Sequence, residues 1–199
     1  MKKVLLSTLF FLFACILPVF SNEHGDHHFL TFDVHRQDTT FSSIFDCVGE
    51  HDFLGTVVKS SFRVRTNYDL YSVHGEFEGT GICRVLTLGV IFDWAREIDI
   101  YDKNDYYIGT IDGQAATTEK AKFSIYNRNS ERVGIAYLDS THTFKICDPN
   151  NENHYLAIIK RNFEGVDCWR TTVYDEDQID LRILKVFCAF ITDRQNSFN

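Results

Sequence analysis

The sequence predicts a mainly β protein built of antiparallel hairpins and closed by one buried C-terminal helix. Three observations lead there. Apolar and polar residues alternate with period two through most of the chain, a hairpin unit recurs along it, and the last apolar stretch is apolar around nearly the whole helical wheel. Short alternating segments separated by turn residues are the spacing of a β-barrel or a β-sandwich.

In chain order the first element is a segment marked for removal. Lys2 and Lys3 form a basic start, Val4 to Phe20 is an almost unbroken apolar run, and Val19 with Ser21 fits a secretory cleavage site. Cleavage is expected after Ser21. Pro18 and the polar Asn22-Glu23-His24 that follow make residues 1–21 an export signal and not an anchor, so a periplasmic or extracellular location is expected. A lipoprotein reading at Cys15 is weaker, because Phe13 is bulky and Ile16-Leu17 continue the apolar stretch. Residues 22–28 read as a polar leader, 29–194 as one domain, and 195–199 as a tail. No later segment has the roughly 20 consecutive apolar residues of a membrane span.

The alternation is explicit at Leu30-Phe32-Val34 against Thr31-Asp33, at Phe62-Val64 against Arg63-Arg65, and at Ile98-Ile100 against Asp99-Tyr101. Each is expected to be a strand with one apolar face. The repeated hairpin is Ile98-Asp99-Ile100-Tyr101-Asp102, a turn, then Ile108-Gly109-Thr110-Ile111. A second copy is Phe123 to Asn127 followed by Val133-Gly134-Ile135-Ala136, with Asp or Asn seven residues before glycine in both. Ile44 to Asp46 with Leu54 to Val57 is a third copy with a spacing of nine, and Phe144 to Asp148 with Tyr155 to Ile159 a looser fourth without the glycine. Asp or Asn at a strand end bonds the turn backbone, and glycine on the return strand permits a bulge or close backbone approach.

Asp180 to Asp193 breaks the pattern. A helix there spans only about 18 Å, too short for a bilayer, so it must be buried in protein. Asp175, Glu176, Asp177 and Asp180 crowd its start, where carboxylates cap free amides and oppose the helix dipole. A buried strand over Ile183 to Ile191 is the competing reading.

With 20 basic and 28 acidic residues the net charge is −8, and loss of Lys2 and Lys3 takes it to −10. That excludes a general nucleic-acid binder, which needs a basic surface. The 18 Phe, nine Tyr and two Trp are ample for one large core.

The hairpins Ile98 to Ile111 and Phe123 to Ala136, with the closing segment Asp180 to Asp193, resemble the tubby C-terminal-like superfamily. The nearer relatives within it are the LURP-one-related and phospholipid scramblase-like proteins. The resemblance covers roughly Phe29 to Asp193, loosely in its first third. It implies a closed antiparallel β-barrel of about a dozen strands threaded by the hydrophobic C-terminal helix. It also implies binding of anionic lipid headgroups or association with membranes. The chain departs from these relatives in being acidic and in carrying an apparent export signal, and their basic pocket has no residue-by-residue match here.

The candidate anion site is Lys59-Ser61-Arg63-Arg65, which alternation would place on one strand face opposite Phe62 and Val64. Three cations there suit a phosphate or lipid headgroup, and a solvated strand face is the alternative. Asp175-Glu176-Asp177 with Asp180 offers oxygens for calcium but lacks the glycine and spacing of an EF-hand, and capping already accounts for the acids. After cleavage, His24 in third position with His27 and His28 could chelate Cu(II) or Ni(II); a hydrophilic tail is the plainer reading. No resident cofactor is expected.

Cys47, Cys83, Cys147 and Cys168 could form up to two disulfides in an oxidising compartment, in any of three pairings, with Cys188 in the helix left as a thiol. No nucleophile elbow, zincin motif or phosphate loop occurs, and His142 and His154 are isolated, so no enzymatic activity is expected. The alternative to a headgroup binder is a secreted lipocalin-like carrier of an apolar ligand. It lacks the N-terminal Gly-x-Trp, and it would require the helix to pack outside the barrel.

Overall fold

A computed structural model describes residues 29–60, 62–85, 95–114, 121–163 and 167–195. The predicted signal, the leader with His24, His27 and His28, and Ser61 lie outside the described residues. Twelve antiparallel strands close into a barrel. They are β1 (Leu30–Asp38), β2 (Ser42–Gly49), β3 (Phe53–Ser60), β4 (Asn67–Tyr71), β5 (Phe77–Cys83), β6 (Glu97–Asp102), β7 (Tyr107–Gln114), β8 (Lys122–Asn127), β9 (Arg132–Ser140), β10 (Thr143–Asp148), β11 (Asn151–Asn162) and β12 (Cys168–Val173). Each pairs with its neighbours in sequence, and β1 pairs with β12 from Leu30↔Val173 to His35↔Cys168 to shut the cylinder. Closure leaves no sheet edge exposed.

The hairpin repeat has a physical cause that becomes visible in the turns. At Ser72, Asp102 and Asn127 a side-chain oxygen accepts backbone N–H bonds from the second and fourth residues on, for example Asn104 and Tyr106 to Asp102 Oδ1 at 2.8 and 2.9 Å. Three residues after each, the backbone turns to positive φ, at Gly75, Asp105 and Ser130. Ser72 and Gly79 thus belong to a further copy of the unit, hidden in the sequence because serine replaces the Asp or Asn. The glycines of the return strands answer to close approach. A Cβ on Gly79 would sit 2.3 Å from the Tyr101 carbonyl oxygen, and one on Gly109 2.2 Å from that of Tyr126. Across three of the hairpins an outgoing aspartate faces the threonine that follows the glycine: Asp46↔Thr56, Asp69↔Thr80 and Asp99↔Thr110, bonded at 3.0, 2.7 and 2.6 Å.

The C-terminal helix, Leu181–Asp193, threads the barrel and packs on β1, β2, β3, β4, β7 and β12. Every residue from Ile183 to Thr192 is buried, as an apolar surface on all sides demands. Asp180 is its N-cap, accepting from the Arg182 amide at 2.9 Å. Phe187 and Phe190 lie at the centre with no exposure, their rings 5.1 and 5.8 Å from Phe123. Phe144, Trp169 and Tyr68 complete the aromatic shell. This filled interior overturns the lipocalin-like alternative, because the helix occupies the space where an apolar ligand would sit.

Two other expectations are corrected. Residues 62–65 are not a strand but the connection between β3 and β4, so Phe62 and Val64 face solvent instead of the core. Their alternation mimics a strand, yet β3 has already ended at Ser60. And Cys47, Cys83, Cys147, Cys168 and Cys188 are all buried free thiols. Cys47, Cys83, Cys147 and Cys168 lie on β2, β5, β10 and β12, no two of which are neighbours in the barrel. Strands lie about 4.8 Å apart, so two strands' separation already exceeds the roughly 7 Å that a disulfide can span.

Candidate functional site

β1 and β3 both run toward the barrel end where the helix terminates, since Arg36 and Lys59 meet Asp193 there. The hairpin tips at residues 39–41 and 62–66 therefore project from that same end. Thr39 binds its tip closed, donating from its amide to the Ser42 carbonyl at 2.8 Å and bridging the Ser42 hydroxyl at 2.9 Å. This leaves Phe41 pointing outward. Phe41 is 59% and Phe62 76% exposed, their ring centroids are 5.1 Å apart, and Val64 is fully exposed. Two large aromatic rings that find each other in solvent and touch no core are an apolar prominence on a polar barrel.

The predicted cations are not on one strand face but are distributed behind and within this prominence. Lys59 Nζ donates to both Asp193 carboxylate oxygens, at 2.9 and 2.7 Å. The same carboxylate accepts from the Tyr68 hydroxyl at 3.1 Å and lies 3.7 Å from Arg36. Burial, with the Asp193 charge beside it, holds the Tyr68 phenol well above its ordinary pKa, so it stays a neutral donor. Arg63 pairs with Asp69 at 2.7 Å, tying the 62–65 turn to β4. Arg65 is exposed in that turn, between Val64 and Thr66. Lys59 is therefore committed to holding the helix end against β3, and Arg63 and Arg65 are the cations carried by the tip itself. Sequence alternation places Phe62 on the apolar face of a strand and gives no reading of Phe41. The available signal was a lone Phe between Thr39-Thr40 and Ser42-Ser43, and a Phe directly after Ser60-Ser61, both inside turn-forming clusters.

The opposite end holds a polar groove of about 800 Å³ lined by Asp102, Tyr106, Asn127, Arg128, Asp177 and Arg182 among others. The acids considered for calcium are separately engaged here. Asp175 Oδ1 accepts from the Asp177 and Gln178 amides, and Asp180 is bound by Arg182. Burial opposes ionisation of Asp180, but the Arg182 guanidinium and amide outweigh it and hold the carboxyl below its ordinary value. No three of these carboxylates converge within 4.8 Å. His154 lies 3.8 Å from Asp148 at the surface, and His142 packs edge-on against Phe163.

A closed twelve-strand antiparallel barrel threaded by its own C-terminal helix is the architecture that the tubby-like resemblance implied. A protein of Arabidopsis thaliana solved by X-ray crystallography superposes on it with a TM-score of 0.55 over 83% of this chain and 91% of that one, at 13% identity. No protein-family profile matches the chain, and no curated protein matches it.

Proposed function

We propose that this barrel is an exported, non-enzymatic protein that docks on anionic membrane surfaces by the end carrying Phe41, Phe62 and Val64. The carrying observation is the contact of two exposed phenylalanines from separate hairpin tips, with Arg63 and Arg65 in the same turn. Apolar side chains at a tip enter the headgroup boundary, while adjacent guanidiniums meet lipid phosphates at about 1 kcal/mol each. A protein of net charge −10 after loss of Lys2 and Lys3 needs such a local inversion to approach an anionic surface. Attachment would be peripheral: among the described residues no helix is long and apolar enough to cross a membrane. The outer wall carries ion pairs such as Asp33–Arg170 and Asp99–Arg84, where a membrane-spanning barrel carries an apolar band.

Cosedimentation with vesicles of phosphatidylcholine containing phosphatidylserine tests this. Binding is expected, weaker in F41S/F62S and in R63A/R65A and reduced by salt. Equal recovery with neutral and anionic vesicles, or undiminished binding of F41S/F62S, would sink the proposal. Because Lys59 ties the helix end to β3, its substitution reads first as lost stability.

A further inference from the structure

On the outer wall, where β1 meets β12, Asp33 and His35 stand on one face of β1, and Cys168 lies directly opposite His35 on β12. A carboxylate oxygen, an imidazole nitrogen and the Cys168 sulfur all lie within 4.8 Å of one another, the one such grouping of three potential ligands among the described residues. From this juxtaposition we propose that Asp33, His35 and Cys168 form a binding site for a single divalent cation of the zinc class, on the barrel wall and not at the tips.

The donor set selects the metal. A sulfur and an imidazole disfavour calcium and magnesium, which take oxygens, and the mixed S, N, O set suits Zn²⁺ or Co²⁺. Ligand atoms around such an ion stand about 3.5 Å apart, given bonds of about 2.0 to 2.3 Å. The three ligand atoms, within 4.8 Å of one another, would draw together by at most about 1.3 Å on binding. Three protein ligands leave the fourth position to water, the pattern of an open site.

The surroundings hold the ligands in place. Arg170 donates to both Asp33 oxygens at 2.8 Å, which fixes the carboxylate plane and leaves a lone pair on each oxygen; ligating carboxylates are commonly held this way. Asp46 faces His35 from β2, and Asp167 immediately precedes Cys168, so acids outnumber the single Arg170 charge beside the site. Arg161 offsets part of this by pairing with Asp167. The Cys168 side chain is buried although it belongs to the outer face, and burial with nearby Asp33 raises its pKa. It is therefore a thiol in the metal-free protein, not the thiolate that a catalytic nucleophile requires. On binding, the S–H bond breaks, its proton passes to solvent, and a sulfur–metal bond forms with no change of oxidation state.

The test is titration of the reduced full-length protein with Co²⁺, read by the thiolate-to-cobalt charge-transfer band in the near ultraviolet. That band reports a sulfur–metal bond, so His24, His27 and His28 of the leader cannot produce it. A band saturating at one cobalt per chain and erased by Zn²⁺ is expected. C168S should abolish it, and H35A, altered at a half-buried wall position, should weaken affinity about tenfold or more in protein shown to be folded by circular dichroism. Folded protein that gives no band, a band that persists in C168S, or unchanged affinity in H35A would each overturn the site.

Discussion

Lys59 Nζ lies 2.7 Å from Asp193 Oδ2, joining the last turn of the helix to β3 across 134 residues of chain. A carboxylate at a helix C-terminus opposes the dipole, and this one is only 3% exposed. Its burial is tolerable because Lys59, Arg36, Arg194 and the Tyr68 hydroxyl surround it. Asp193→Ala removes the centre of that cluster and is expected to cost about 3 kcal/mol, the usual penalty for breaking a buried pair. Lys59→Met leaves the other partners and should cost about 1 to 2 kcal/mol. Urea denaturation measures both. A Lys59→Met protein as stable as the parent would show that the pair does not hold the helix in the barrel.

Glycine carries two different burdens here, and substitution separates them. Gly109→Ala places a Cβ 2.2 Å from a backbone oxygen that cannot swing away, so β7 and β8 must part; about 2 to 3 kcal/mol is expected. Gly75 has open space around it, and only its φ of 76° resists a side chain. Gly75→Ala should cost about 1 kcal/mol. Equal midpoints for the two variants in thermal melts would refute the distinction.

Strand alternation and the all-round apolar helix made the architecture legible, because burial imposes a period on sequence wherever a backbone is regular. Phe32 and Val34, Ile98 and Ile100, Phe187 and Phe190 all face inward as their spacing requires. Legibility ended at the hairpin tips. Phe62-Arg63-Val64-Arg65 has strand periodicity but no ladder to sit in, and only the closing of the β3–β4 turn decides that its apolar residues point outward. The Asp33, His35 and Cys168 grouping was hidden for a different reason: it depends on β1 pairing with β12, the most distant partners in the chain, and no local spacing encodes that closure.

Removal of the apolar leader can be read directly. Mass spectrometry of the product recovered from the medium or periplasm of an expressing cell is expected to show a chain beginning at Asn22. Retention of Met1 in exported material, or of the whole product inside the cell, contradicts the export reading.

Burial raises the Cys47 and Cys188 thiols to about 12. The native barrel therefore favours their protonated form, while an unfolded thiol ionises near its ordinary value of 9.0. Their contribution to stability is intact below pH 9 and is lost progressively as pH rises toward 12. Cys188→Ala and Cys47→Ala should each flatten this alkaline decline, measured as the denaturation midpoint against pH. At pH 8 iodoacetamide should leave both thiols unmodified in native protein and modify both in urea.

Asp180 gives the opposite dependence at the other end of the pH scale. Burial penalises its charge, yet Arg182, bonded at 2.6 Å from Nη2 to Oδ2 and also through its amide, lowers the pKa overall below the ordinary 3.8. A depressed carboxylate stabilises the fold above its unfolded pKa, and that stability disappears as pH falls through the lower folded value. Asp180→Asn keeps an N-cap acceptor but loses the charge, so it separates the two roles. It should be less stable than the parent at pH 7, and the gap should narrow as the pH drops below about 4, where the unfolded carboxyl takes up its proton, and close as the pH falls through the lower folded value. Asp180→Ala loses the cap as well and should remain about 1 kcal/mol below Asp180→Asn at every pH. Parallel stability curves for parent and Asp180→Asn would mean that the Arg182 pair is indifferent to folding and that capping alone starts the helix.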